Sequence, residues 1–463
     1  MSVVSRLLQK AESEPGLHYR NPSVPHACSI PGGLCIGSKI YIHGMVPKDS
    51  TRFAIILQRG ADPEHADLHL HLCAHLGGTP VVVRNSRLRG DWGVEERLDG
   101  PFPFPIAPRT FLLVITAYMD SYEVEINGSS NFSFKVRDGL PISSVTHLAI
   151  EAGLFIRAIH APVESMPRKL RLSLGSGVKV GDMFSIKGEP TEDAKSFVIN
   201  WQTGPGKFDD VLFLLNPQLE EGRVVMNCRL DDEWAKEETS SDCPFSPGKP
   251  FHLAVGVSSL GFDTLLDGKE WLNFRHKHEV SNAKTLFIEG DLQPTDIWID
   301  CAQLNASGIV NGVIKRGVRL QLIGPELPLT SRITGGFEKG CLFLISGKIN
   351  AQPSKLQMNV QCGEGSEDCD IALLFDVLWK DDTPKITLNS REENSWGQEV
   401  SATVVEGLAA GRPFDLLVAR TEDGFQCFLD GLELAHLPYR VEDPLPDHIT
   451  LSGDLETYRL LLL

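Results

Sequence analysis

From Gly16 onward the chain is cut into short runs, in which apolar and polar residues alternate or several apolar residues follow one another. The runs are closed by glycine, proline or an Asn-Gly or Asp-Gly pair. A period of two predicts strands with one buried face, and strands at this spacing with turn residues between them predict an all-β sandwich or barrel. The pattern is sharpest over Asp67–His75. Leu68, Leu70, Leu72 and Ala74 fall on one face, and His69, His71, Cys73 and His75 on the other, exposed one. A Gly-Gly-Thr-Pro turn at 77–80 leads into Val81, Val82 and Val83 and a second strand ending at Asn85. A polar loop then carries the chain to Trp92, Glu95 and Arg97. The product is a polar surface of two or three strands with an aromatic plate beside it. Such a surface suits a pyranose, whose hydroxyls need fixed donors and acceptors and whose C–H face needs a flat partner such as indole.

The whole pattern occurs three times. Trp92, Trp234 and Trp396 are 142 and 162 residues apart, and so are Asn85, Asn227 and Asn389. The hairpin residues Asn127, Asp267 and Asp430 are 140 and 163 apart, and Gly44, Gly188 and Gly347 are 144 and 159 apart. Anchors that move together over such a period indicate a duplicated domain rather than a solenoid of short units. The expected organisation is a charged tail with room for a short helix at 1–15, and domains at 16–162, 163–302 and 324–463. A linker is expected at 303–323, where the apolar and basic run IVNGVIKRGVRLQLIG has no counterpart in the other copies.

The Asp67–Arg97 stretch resembles the carbohydrate-recognition domain of galectins, whose pattern runs D-I-A-L-H-x-N-P-R, V-x-N, W-G-x-E-x-R. His71, Asn85, Trp92, Glu95 and Arg97 fall on matching positions; Cys73 stands at the family asparagine and His75 at its arginine. The resemblance implies three tandem galectin-like (jelly-roll) antiparallel β-sandwiches, each with a concave sugar-facing sheet. It also implies a lectin for β-galactoside-type glycans that needs no cofactor, acting mainly through the first domain. Cys73 is a weak hydrogen-bond partner and His75 lacks the guanidinium fork. Each lost charged hydrogen bond costs roughly 1.5–3 kcal/mol, so binding is expected to be weakened or redirected. In the second copy Asn216, Asn227, Trp234 and Glu237 remain, while Leu214, Gln218 and Thr239 replace the histidine and the two arginines. In the third, Leu374, Asp376 and Leu378 replace the first group, Ser401 the last arginine, and Asn389, Trp396 and Glu399 remain. Glu237 and Glu399 thus lose their in-strand partner, and both sites are expected to have decayed, with Trp234 and Trp396 serving as caps on a sheet edge.

Composition narrows the picture further. A net charge of −17 disfavours nucleic acid or an anionic membrane surface as partner. No run is long and apolar enough to span a bilayer. The start MSVVSRLLQKAESEP reads as a cytoplasmic beginning, and the resemblance allows export without a signal peptide. Ten scattered cysteines without a CxxC pair read as free thiols. The comb His69, His71, Cys73, His75 has metal-ligand types, but the carboxylates that would orient such ligands are not evident. No nucleophile elbow, phosphate loop or paired acid and base suggests an enzyme; Glu95 is expected to pair with Arg97 and stay ionised. Two readings stand: a lectin that binds glycans or glycoproteins, and a scaffold of degenerate domains that binds proteins through the second and third copies.

Overall fold

The computed structural model describes residues 3–462, apart from 63, 99, 107–108, 259, 302–319, 324, 334, 366–368, 381–382, 403–407, 431 and 441–444. Among the described residues the regular structure is nearly all β-strand, mostly antiparallel, with one α-helix, Val3–Ser13. The chain divides into two compact units, 1–303 and 304–463.

In the first repeat a site sheet contains Arg52–Arg59, Asp67–His75 and Val81–Leu88 as successive neighbours. A backing sheet, built around Lys39–Met45 and Thr110–Ala117, packs against it. Leu70, Leu72 and Ala74 from the first sheet and Ile40, Ile42, Leu113 and Ile115 from the second share one core. The alternation read from the sequence is thus the division between core and surface. Asn127, with φ of 55°, and Gly128 make the hairpin turn; these are residue types that tolerate a positive φ. The N-terminal helix lays Leu8 and Ala11 on Tyr41, Leu112 and Val114, on the outer side of the backing sheet.

The first two repeats are fused. Gly16–Arg20 pairs antiparallel with Phe155–Pro162 of its own domain and parallel with Leu292–Asp300 of the second, giving one backing sheet of 11 strands. At this seam His18 is fully buried. Its Nδ1 lies 2.9 Å from Nδ1 of His160, its Nε2 3.1 Å from Asp296, and its ring stacks 4.3 Å from that of Trp298. Arg20 pairs with Asp300 at 3.3 Å. The site sheets also meet, Ser29 donating to the Arg171 carbonyl, and Tyr19 of the backing sheet donates to the Ser173 carbonyl.

The second unit is the third repeat, with a site sheet through Lys355–Gln361, Ile371–Lys380 and Thr383–Glu392 and a six-stranded backing sheet. Leu320–Ile323, read from sequence as the end of a linker, forms a strand paired with Leu455–Leu462; the rest of that stretch, to residue 319, lies outside the described residues. The pairing explains the difference: the backing sheet takes Leu320–Ile323 as its edge strand.

One expectation of strand alternation fails. The pairing of Asp67–His75 with Val81–Leu88 shifts register between Leu68 and His71. A bulge reverses which side later residues face. Leu68 therefore lies with Cys73 in a small apolar cluster, while His69 is buried and bonded to Ser144, so it does not share the face of His71 and His75. The comb of four is broken, and among the described residues no group of three or more metal-ligand types gathers.

Candidate functional site

Strand register assembles the first-repeat cluster. His71 lies opposite Asn85, Val83 opposite Arg97, and Arg87 opposite Trp92. The His71 ring meets Trp92 edge-on at 5.1 Å. Trp92 keeps 51% of its surface exposed, which leaves an open face for a ligand. Burial lowers the His71 pKa below its usual value, so the ring is neutral at pH 7 and offers one donor and one acceptor. Arg97 Nε donates to Glu95 at 3.0 Å, and both side chains stand well exposed at the rim.

Asn85 is committed inward. Its amide nitrogen donates to the Gly93 carbonyl, and its oxygen accepts from the Ser86 amide and from Arg137 at 3.4 Å. Asn227 and Asn389 repeat the bond to the following backbone amide, and Asn227 also binds the Ala235 carbonyl. Each tryptophan is likewise backed by an arginine: Arg87, Arg229 and Arg391 lie 5.6, 5.6 and 5.5 Å from Trp92, Trp234 and Trp396. Persistence of these residues in all three copies therefore follows from the loop they build. His71 and the Glu95–Arg97 pair belong to the first repeat alone.

The two departures differ in setting. Cys73 is buried among Ala54, Ile56, Leu68 and Ala149, and burial pushes its thiol up. His75 is exposed, its Nε2 3.5 Å from the Cys73 sulfur. Directly across from His75 in the neighbouring strand stands Arg52. Its guanidinium binds Glu151 at 2.5 Å. Arg52 and Glu151 also line a cleft of about 540 Å³ with Asp49 and Ser50.

Sequence reading missed Arg137. It bonds the Val94 carbonyl at 2.5 Å and Glu96 at 3.1 Å, and stacks on Phe134. A Cβ on Gly93 would come within 2.2 Å of it. Arg440 holds the same place in the third repeat, bonded to Asn389 and to the Gln398 carbonyl beside Gly397. In the second, Lys277 bonds Glu238, and the neighbouring residue is Ala235. The signal was present in the sequence as a pair that changes together, Gly with Arg and Ala with Lys.

In the second repeat Asn216 donates to the Phe197 carbonyl and Gln218 to Asn216. Glu237 has a cation after all: Arg223, on the adjacent strand, at 3.9 Å. In the third, Asp376 lies 3.6 Å from Lys355, and Leu378 is 46% exposed.

The family model for galactoside-binding lectins matches residues 25–161, 169–298 and 328–461. The chain belongs to that family. Galectin-4 of Sus scrofa is 31% identical over 310 residues, a match covering 59% of this chain and 94% of that protein. A 32 kDa beta-galactoside-binding lectin of Haemonchus contortus is 28% identical, covering 60% of this chain and 96% of its own. Galectin-8 of Rattus norvegicus is 27% identical over 60% of this chain and 95% of its own length. The chain is thus a galectin-like lectin in which the family sandwich occurs three times.

Proposed function

We propose that the first repeat binds β-galactoside-type glycans, free or on glycoproteins, by non-covalent contact and with altered specificity. The observation that carries this reading is the convergence of neutral His71, the half-exposed plate of Trp92 and the Glu95–Arg97 pair on one face. Convergent polar groups beside an aromatic surface are the usual form of a small-ligand site. Cys73 offers little to a hydroxyl. Arg52 stands in for the guanidinium absent at His75, delivered from the neighbouring strand and steadied by Glu151. A cation displaced by one strand meets a different part of the ligand, hence the altered preference. Calorimetric titration of the full chain with lactose, backed by a glycan array, tests the reading. Loss of one lactose site per chain on Trp92→Ala supports it; absence of binding at millimolar lactose, or a site count that Trp92→Ala leaves unchanged, refutes it.

The third repeat favours the second reading. Leu378, exposed where the first repeat has His75, and a leucine at 374 present apolar surface to the face a sugar would need. This face suits a protein partner. A partner retained in excess lactose, and lost on Leu378→Glu, is the expected result.

A further inference from the structure

On the outer side of the first backing sheet Tyr41 lies directly opposite Val114. The helix Val3–Ser13 covers this pair, setting Leu8 and Ala11, with Val4 and Leu7 beside them, on Tyr41, Leu112 and Val114. The same pair in the second repeat is Ser185 and Ala254. Both are half-buried, and the Ser185 hydroxyl lies 2.7 Å from the His252 ring. Residues 163–169, which join the first two repeats, contain no helix. A polar pair thus goes with a missing cover.

The third repeat returns to the apolar form. Leu344 lies opposite Leu417, and the row runs on to Leu461 on one side and Phe428 on the other. None of the four belongs to the core beneath, yet each is at most 5% exposed. An apolar row four strands wide on the outside of a sheet is this dry only under a cover. Among the described residues of this repeat every strand belongs to one of its two sheets, and there is no α-helix. The sequence supplies the pattern of a cover. Val3, Val4, Leu7, Leu8 and Ala11 stand at i, i+1, i+4, i+5 and i+8, and Ile309, Val310, Val313, Ile314 and Gly317 repeat that spacing. Such spacing puts one apolar stripe on a helix. Lys10 and Arg316 match as well. The first run precedes Gly16–Arg20 and the second Leu320–Ile323, strands that hold equivalent places beside Phe155–Pro162 and Leu455–Leu462. Residues 302–319 lie outside the described residues, and the second compact unit begins at Leu304.

We propose that the outer face formed by Leu344, Leu417, Phe428 and Leu461 is a docking surface for the chain's own residues 309–317, which cap it as an amphipathic helix in the way Val3–Ser13 caps the first sandwich. The run is then a part of the third domain and not a tether leading to it. Its occupancy closes the outer face to other partners and leaves the site face, with Leu374 and Leu378, as the surface this repeat offers. A nine-residue run containing Gly312 and Gly317 is a poor helix by itself, so its order depends on the sheet. The inference is independent of any reading of sugar binding.

Hydrogen exchange of the full chain, read by mass spectrometry, tests it. The amides of 309–317 are expected to exchange about a hundredfold more slowly than those of an unstructured chain, at a rate independent of protein concentration, because the docked stripe must open first. Val313→Asp, in the middle of the stripe, is expected to cut that protection about tenfold or more, the value of burying one such side chain. Lys315→Gln, on the opposite side of the helix, is expected to leave it unchanged. Ile309→Ser, at the end of the stripe, is a milder variant that decides the matter if Val313→Asp fails to fold, and it too is expected to lower protection. The proposal is overturned if 309–317 exchanges at the unstructured rate in the native chain, or if the stripe variants are protected as well as Lys315→Gln. It is equally overturned if protection sets in only as protein concentration rises, which would make a second copy the cover.

Discussion

Cys73 and His75 bring two poor hydrogen-bonding groups to the centre of the site face, and they are not equivalent. Cys73 is enclosed by Ala54, Ile56 and Ala149, so an amide there has to displace packed atoms. His75 is exposed and can be exchanged freely. His75→Arg is therefore expected to raise lactose affinity about tenfold, the low end of a charged hydrogen bond, because Arg52 already places a guanidinium across from it. In an Arg52→Ala background the same exchange should gain more. Calorimetry on the four combinations reads both effects. Equal affinities throughout would mean that neither side chain touches sugar. Both departures were legible in the sequence as mismatches to a motif. The compensation by Arg52 was not, since it depends on which residue of another strand falls opposite His75. The bulge after Leu68 was illegible for a related reason. A period-two pattern assumes unbroken pairing, and nothing in DLHLHLCAH marks where the pairing slips.

The loop from Gly93 to Arg97 works as an element rather than as a set of ligands. Asn85 and Arg137 tie down its backbone carbonyls at Gly93 and Val94, which sets where Glu95 and Arg97 stand. Gly93 is required by the close approach of the Arg137 guanidinium, within 2.2 Å of where a Cβ would be, and the second repeat meets the same constraint with Ala235 and Lys277. Gly93→Ala is accordingly expected to weaken lactose binding about tenfold with little change in melting temperature. Arg137→Lys in the same chain should restore much of the loss. Contacting residues of this kind show coupling of about 0.5–3 kcal/mol, so a double-mutant cycle on affinity gives a non-zero interaction energy. Additive effects would refute the clamp. The repeat spacing that located Trp92, Trp234 and Trp396 also contains this covariation, yet its meaning needs packing distances that no spacing supplies.

At the scale of the molecule, three sequence repeats become two compact units, because the first two sandwiches share a sheet. The repeats were countable from anchors; the fusion was not, since the partners Arg20 and Asp300 lie 280 residues apart and no local pattern marks either strand as pairing with the other. The seam is also where buried histidines gather. Burial lowers His26 to about 4, and burial with the proximity of His18 and Arg20 holds His160 well below its usual value, against the pull of Asp296. Both resist a proton that the unfolded chain accepts at about 6.5. The unfolded state therefore binds more protons below that pH, and native stability falls as pH drops. The loss is up to about 1.4 kcal/mol per pH unit for each such histidine, across the interval from 6.5 down to about 4 for His26. Calorimetry should resolve a transition for residues 1–303 and another for 304–463, the first moving down steeply between pH 7 and pH 5. His26→Gln and His160→Gln, which cannot titrate, should each flatten that dependence. If both variants keep the slope of the native chain, the acid sensitivity does not arise at the seam, and the junction between the first two sandwiches is held by strand pairing independently of its histidines.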